Sequence, residues 1–398
     1  MKFFNLKAWQ ILLFSLFLVP SATFSQIITG GGSTTTNTNG SNSSAIPTAV
    51  PFLLISPDSR SGGIGEAGVA ISPDVNANYW NPSKLAFLEG TDNVAASYSP
   101  WLRSLVPDVS LSYLAYAHKL DERNTIGASI RYFNLGSINL RDASQNDQGT
   151  YTPNEFSIDG SFARTFGENF SLGLSLRYIH SSLANGSFLS GQQVKAGNAV
   201  AADVSMYYKT GIQEFGNDGT FAFGTNISNI GSKISYSDNG TKYFLPTNLK
   251  IGVANTINVD ETNQVTFALD FNKLLVPTPP IRDSDGNIIK GKNDDISVPA
   301  GIFGSFLDAP GGYSEELKEI SISPGVEYWY NKQFALRAGY YYENPNKGGL
   351  HYFTLGTGFK YDIFAFDFSY IAASQQNSPL ANTLRFTLMV NFGSTKQE

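Results

Sequence analysis

Three histidines, His118, His180 and His351, are the side chains best suited to bind a transition metal. Each falls in a separate stretch, with no second ligand at a metal-binding spacing. They read as isolated surface or lumen residues. The chain has no cysteine, which removes thiol nucleophiles, thiolate ligands and disulfides together. No Gly-x-Ser-x-Gly elbow is present. Asp283-Ser284-Asp285-Gly286-Asn287 has the opening spacing of a calcium loop, but the place of its bidentate glutamate is taken by Asp294. A plain turn is the better reading. Gly62, Gly63, Gly65 and Gly68 could cradle a phosphate only with a strand leading in and a Gly-Lys-Ser/Thr following, and neither is there. The expectation is a non-enzymatic chain with no catalytic residue, no metal and no cofactor.

The glycines instead belong to a compact segment, residues 59–88, where small residues continue through Ala67, Ala70, Ala77 and Ala86 and close on Asn81-Pro82-Ser83-Lys84-Leu85. Small residues at close spacing let backbone pack on backbone in a confined space. After Glu89 the chain reads as a long series of antiparallel strands. The segment is therefore expected to be a plug inside a large β-structure, with Gly65, Gly68, Asn81, Pro82 and Leu85 as its motif.

The organisation read from the sequence is a signal peptide over 1–25, a flexible tether over 26–50, the plug over 51–91, a barrel over 92–393 and a tail over 394–398. Lys2 and Lys7 precede the apolar run Ile11 to Val19, and small residues follow up to a cut near Gln26. That run is too short to span a bilayer. Residues 29–45 have almost no apolar content to offset the entropy of ordering. Charged residues are only 15% of the chain and aromatics 13%, with 38 glycines. With an export signal, that balance suits an outer-membrane β-barrel. A net charge of −6 argues against a nucleic-acid partner.

Period-two alternation gives about fourteen segments: 92–100, 107–120, 124–137, 154–166, 169–182, 198–211, 218–231, 246–258, 263–276, 319–330, 333–344, 349–360, 362–374 and 381–392. Leu384, Phe386, Leu388, Val390 and Phe392 share one face, and Arg385, Thr387, Met389 and Asn391 the other. Arg131, Asp159, Arg177, Asp203, Lys250, Asp270, Glu327, Arg337 and Asp367 also fall on the polar side of their strands. A charge on a lipid face costs about 2–4 kcal/mol for Arg or Lys at mid-membrane, so these residues are expected in the lumen. A soluble β-sandwich would alternate too, but its strands average about five or six residues. Many of these runs reach the length a tilted spanning strand needs.

With the N-terminus on the periplasmic side, short turns alternate with outer loops at 101–106, 138–153, 183–197, 232–245, 277–318, 345–348 and 375–380. The longest, 277–318, begins Pro277-Thr278-Pro279-Pro280, carries a helical turn capped by Ser314, and holds the apolar cluster Ile302, Phe303, Phe306 and Leu307. Long loops on a rigid scaffold commonly carry function. These four residues, joined by Trp101 and Leu102 of the first outer loop, are the expected partner-binding surface. Pro324-Gly325 lies inside the tenth strand. Proline is restricted to edges, strand starts and bulges, and a closed barrel has no edge, so a bulge or local kink is expected there, read as curvature rather than as a lateral gap for a hydrophobic ligand.

The plug motif followed by about fourteen strands resembles the FadL-type outer-membrane barrels, with Asn81-Pro82-Ser83-Lys84-Leu85 in place of their Asn-Pro-Ala-Gly-Leu. The closer resemblance is to the PorV (LptO) family of the type IX secretion system of Bacteroidota. It is carried by residues 56–87, by 97–120 with Pro100-Trp101-Leu102, and by 301–320 with Asp308-Ala309-Pro310-Gly311-Gly312. This resemblance implies a non-enzymatic integral protein of the outer membrane, in contact with its lipid. It also implies binding to the large translocon barrel and collection of secreted proteins with C-terminal signal domains for the attachment complex. The alternative is a FadL-like transporter of long-chain fatty acids or other hydrophobic molecules. A transporter needs an apolar path to a lumen pocket, whereas a docking platform needs apolar residues at loop tips.

Overall fold

The computed structural model describes residues 45–101, 108–141, 147–183, 192–237, 240–373 and 383–393, with two-residue strands at Thr35–Thr36, Asn42–Ser43 and Phe188–Leu189. The signal-peptide and C-terminal-tail readings lie outside these residues, as do Leu102 and most of the tether.

Fourteen long strands form one closed barrel. They are β1 (Asp92–Pro100), β2 (Val109–Lys119), β3 (Asn124–Leu135), β4 (Asn154–Thr165), β5 (Phe170–Ser182), β6 (Gly197–Glu214), β7 (Asn217–Gly231), β8 (Asn248–Asn258), β9 (Asn263–Leu274), β10 (Ile320–Tyr330), β11 (Phe334–Tyr342), β12 (His351–Tyr361), β13 (Phe364–Ala373) and β14 (Leu384–Phe392). Each pairs antiparallel with its chain neighbour, and β14 pairs with β1 through Leu388–Ala96. Closure leaves no hydrogen-bonding edge, which a membrane interior demands.

Side-chain parity sets which face is lumen. Arg131, Asp159, Arg177, Asp203, Lys250, Asp270, Glu327, Arg337, Asp367 and Arg385 are all buried, while the alternating Leu176, Phe267, Phe366 and Leu388 are exposed. The short turns are made by local capping. The Asp121 carboxylate accepts from the amides of Arg123 and Asn124 at 2.8 and 2.9 Å, and Asp260 does the same for Thr262 and Asn263. Phe215 and Gly216 turn the β6–β7 hairpin at positive φ, 55° and 82°. That turn is shorter than the expected 212–217 because both strands run further.

The expected bulge at Pro324-Gly325 is absent. Pro324 and Gly325 pair with Leu269 and Ala268 in unbroken register. On the other side Ile322–Tyr342 and Gly325–Gly339 keep one register, and the ladder skips Ser323 and Pro324. The missing N–H is thus accommodated by a gap in one ladder rather than by an extra residue. The register shift lies elsewhere, in β7 around Ser228-Asn229 opposite Asp203. There Asn229 adopts φ 60° and its amide donates to Asp203 at 2.8 Å.

Residues 51–88 form a chain of short turns: Pro51–Leu54, Ser59–Gly63, Ala77–Trp80 and Pro82–Phe87. Polar capping holds them. Asp58 accepts from the Ser61 amide at 2.8 Å and from the Trp80 indole at 2.6 Å. Asn81 accepts from the Ser83 amide and donates to the carbonyls of Val69 and Met206, while Pro82 opens the last turn, where no N–H is needed. Partners of this segment lie right around the barrel. Its backbone amides donate to Thr387 on β14, Thr354 on β12 and Asp270 on β9. Its carbonyls accept from Asn226 on β7, Ser171 on β5 and Arg131 on β3. A segment bonded to strands on every side, and almost wholly buried, lies within the ring.

Gly65 and Gly68 allow the closest approaches. A Cβ on Gly68 would collide with the Trp80 ring, and one on Gly65, at φ 73°, would lie 2.6 Å from the Tyr340 amide nitrogen. Leu85 is fully buried beneath Gly127 of β3. The segment also crosses the barrel. The Ala49 amide donates to the Phe244 carbonyl in the long β7–β8 loop, whereas the Leu88 carbonyl accepts from Lys119 at the short-turn end. Ala49 and Val50, read as the end of a tether, are buried.

Candidate functional site

The connection from β9 to β10 rises from the rim on Pro277-Thr278-Pro279-Pro280 and is ordered by its own elements. A small hairpin pairs Ile281–Arg282 with Ile288–Lys290. The Asp283 carboxylate closes its turn by accepting from the Asn287 and Asp285 amides, which holds its pKa below the ordinary carboxylate value. Asp294 pairs with Arg282 at 2.6 Å. The Asp-x-Asp-x-Asn stretch is thus built as a turn.

Helix Val298–Gly304 follows, started by Pro299. Gly301 faces inward so tightly that a Cβ would lie 3.0 Å from the Phe244 ring and 3.1 Å from Pro277. The opposite face points to solvent: Phe303 is 80% exposed, Leu307 69%, and Phe306 is also exposed, with Ile302 intermediate. Helix Tyr313–Glu316 comes next, its N-cap Gly312 rather than the expected Ser314. Gly312 adopts φ 68°, a conformation serine enters only with strain. Tyr313, 71% exposed, and Leu317 extend the apolar surface.

This surface sits on an ionic base. Lys273, at the top of β9, pairs with Glu316 at 3.0 Å and with Glu319. Lys347, from the β11–β12 loop, pairs with Glu315 at 2.6 Å and Glu319 at 3.0 Å. The other oxygen of Glu316 accepts from the amides of Asp308 and Ala309, and Thr278 donates to Glu319 at 2.6 Å. Burial, with Glu316 and Glu319 nearby, pushes the Asp308 carboxyl up to about 6 against the lowering hydrogen bond from the Thr278 amide. Burying so many paired groups is costly unless the geometry is fixed. Five solvent-facing apolar side chains therefore stand on a pinned platform.

Trp101 does not join them. It is 8% exposed and turned inward, its ring 5.7 Å from the Arg385 guanidinium. An indole beside a buried cation gains more from that contact than from the loop surface. With Glu66, Trp80, Lys250, Tyr352 and Arg385, it lines a cavity of about 380 Å³ between the plug and the outer loops. Arg385 pairs with Glu66 at 2.8 Å, and the Lys250 ammonium lies 4.3 Å from the centre of the Trp80 ring. The three histidines stay apart: His118 contacts Asp92, His180 contacts Asn198, and His351 contacts the Gly349 carbonyl.

Sequence reasoning missed Tyr313 and Leu317, although their spacing of four places them on one helical face. It missed the role of Lys273 and Lys347 because their partners lie some forty and thirty residues away.

A closed fourteen-strand barrel with an apolar outer wall and a charged interior is an outer-membrane β-barrel. The sequence profile described as "Type IX secretion system protein PorV" matches residues 38–281. The chain belongs to the PorV family, a secretion component of the outer membrane. No curated protein sequence matches it. Among solved structures, the toluene transporter TbuX of Ralstonia pickettii is similar at 12% identity and a TM-score of 0.46, over 84% of this chain and 98% of that one. The monoaromatic hydrocarbon channel CymD gives 13% and 0.47 over 85% and 98%. A Pseudomonas aeruginosa FadL homologue gives 10% and 0.39 over 89% and 100%. At these scores the likenesses carry no argument about ligand or partner.

Proposed function

We propose that this chain is a non-enzymatic carrier of the type IX system. It binds the large translocon barrel, collects secreted proteins bearing C-terminal signal domains, and delivers them to the attachment complex. The observation that carries the reading is the apolar platform of Phe303, Phe306, Leu307, Tyr313 and Leu317, held by Lys273 and Lys347. Rigid aromatic anchors with little ordering to do on binding are what interface hot spots require, often at 2 kcal/mol or more each. The transporter alternative draws on the cavity, whose walls combine Ile46, Leu54, Ile55, Trp80, Trp101 and Leu274 with the charged Glu66, Lys250, Glu319 and Arg385; the cavity suits an amphipathic occupant, and it is the exposed platform that favours docking.

The test replaces Phe303 and Phe306 with Ser and measures co-purification of the translocon barrel and secretion of clients, alongside the abundance of the inserted barrel. Capture and secretion should fall while abundance holds. Normal capture and secretion would move the docking surface to the lipid-facing wall.

A further inference from the structure

The two longest strands of the barrel overshoot it at the short-turn end. β6 and β7 run 18 and 15 residues, where the others run 9 to 13. Pairing of β6 with β5 stops at Tyr208–Phe170, and a last bond from the Lys209 amide to the Asn169 carbonyl closes it. Pairing of β7 with β8 stops at Gly219–Ile257. Residues 210–214 therefore run on with β7 on one side and no described strand on the other. At a rise of about 3.4 Å per residue, that is roughly 17 Å of open edge. Ladder groups alternate sides along a strand. Since the Lys209 amide faces β5, the amides and carbonyls of Gly211 and Gln213 face the open side, and both residues are exposed. Such an edge is not tolerated in hydrocarbon, and short turns face the periplasm, so the overshoot stands in periplasmic water.

Nothing in the hairpin blunts that edge. Exposed edges are ordinarily protected by proline, lysine, a bulge or a covering loop. Residues 210–214 contain no proline and no lysine, and the register is unbroken from Val204–Ile227 to Glu214–Asn217. The tip is unusual as well. A two-residue turn with positive φ at both positions calls for Asn-Gly, and here the pair is Phe215-Gly216. Phe215 is the one aromatic at positive φ among the described residues, and it is 93% exposed. At other short turns this conformation falls to Gly167, Asn331, Lys332 and Asp362. A bulky ring held there with no gain in burial points to a contact outside the chain. The surroundings are acidic. The hairpin tip carries Glu214 and Asp218, and the turns on either side add Glu168, Asp260 and Glu261. Lys209, at its base, is turned inward onto the Phe87 ring of the lumen segment.

We propose that the open edge of β6 and the Phe215 tip form a second docking site, on the periplasmic face, for an extended basic segment of another polypeptide. The segment adds as a strand beside residues 210–214, bonding to the free sides of Gly211 and Gln213. Phe215 supplies the apolar anchor, and the carboxylates around it select for positive charge. A second copy of this chain would bring the same carboxylates together, and like charges across strands repel. A lipid surface would have to accept Glu214 and Asp218 along with the ring. The site lies across the membrane from the outer platform and does not depend on it.

The test titrates the full chain, in phosphatidylcholine nanodiscs, with a fluorescent end-blocked octapeptide of alternating lysine and valine, read by anisotropy against empty nanodiscs. Valine favours the strand and lysine supplies the charge. Binding should saturate at one peptide per barrel and weaken several-fold when glutamate replaces lysine. Gly211→Pro removes an edge donor without touching the β6–β7 ladder, and should weaken binding several-fold while the barrel keeps its heat-dependent mobility. Phe215→Asn should also weaken binding, yet increase hydrogen-exchange protection of the hairpin, because Asn suits the turn. A purely structural residue would not move the two in opposite directions. Glu214→Gln with Asp218→Asn should flatten the salt dependence. No saturable binding to the wild type, equal binding of the glutamate peptide, or binding indifferent to Gly211→Pro and Phe215→Asn would overturn the site. Two further variants look for the other occupants. Quenching of Phe215→Trp by brominated lipid would give the tip to the membrane. Concentration-dependent disulfides between Gln213→Cys copies, in a chain with no other cysteine, would give the edge to a second copy. Either result overturns the proposal.

Discussion

The guanidinium of Arg60, in the Ser59–Gly63 turn of the lumen segment, lies 2.8 Å from the carboxylate of Glu327 on β10. Both are buried. Glu327 also holds Arg337 on β11 at 2.7 Å, and Arg337 holds Asp367 on β13 at 2.6 Å. Asp74 completes the set at 2.9 Å from Arg60. Removing one member of a buried pair strands its partner, at about 3–5 kcal/mol. Arg60→Ala should lower barrel stability by an amount of that order and expose the lumen segment to protease. Arg60→Lys should recover only part, since an ammonium cannot make the forked contact. Heat-dependent mobility of the folded barrel, with limited proteolysis, checks both. Wild-type stability for Arg60→Ala would mean the segment is seated by other contacts.

Gly65 makes a sharper test of the same seating. Its φ of 73° and the Tyr340 amide nitrogen 2.6 Å from a built Cβ leave no room for alanine. Gly65→Ala should destabilise by about 1–3 kcal/mol from strain and overpacking together. Gly167→Ala has positive φ but open space around it, so it should cost less. Equal losses would show that φ alone decides.

Parity makes a prediction that only the structure completes. Leu388 is 46% exposed on the outer wall, and Leu388→Arg should impair insertion by about 2–4 kcal/mol. Sequence parity makes Thr387→Arg the tolerated neighbour. The structure reverses that expectation: Thr387 is fully buried and accepts from the Ser59 amide at 2.9 Å. Thr387→Arg should insert yet expel the lumen segment. Insertion assays and protease mapping of residues 51–88 separate the two failures.

Trp101→Ala should leave partner capture unchanged, because its ring faces Arg385 inside the barrel. Loss of that stacking and packing should cost about 1–3 kcal/mol of stability. Reduced co-purification of the translocon barrel by a stably folded Trp101→Ala would return this residue to the docking surface.

The platform should respond to pH. Burial raises Asp308 from the ordinary 3.8 to about 6. A raised folded-state value means the stability it contributes is fully present below about 4 and is lost as pH rises through about 6. Residues 298–317 should therefore be better protected from hydrogen exchange at pH 5 than at pH 7.5, after correction for intrinsic rates. Asp308→Asn should remove most of that difference. A difference that survives the substitution would show that Asp308 is not its source.

The sequence by itself determined the barrel. Fourteen alternating runs, with the mid-strand charges on one parity, admit one economical solution in a membrane, because alternation is local and a charge facing lipid is costly. It also determined that residues 51–88 are too glycine-rich and too broken to be strands. Tertiary structure alone decided the rest. Trp101 looked like a loop anchor, yet an unpaired face of Arg385 drew it inward. Pro324 looked like a bulge, but a gap in one ladder absorbed it, and the bulge went to Asn229, where Asp203 rewards a positive φ. The alternation of short turns and outer loops placed the N-terminus on the periplasmic side, yet the Ala49 amide bonds to the Phe244 carbonyl at the long-loop end; either threading direction satisfies the same composition, so only the tertiary contact decides it. Each of these outcomes depends on partners tens to hundreds of residues away in the chain, such as Ser59 with Thr387 or Lys347 with Glu319, and local pattern carries no record of such pairs.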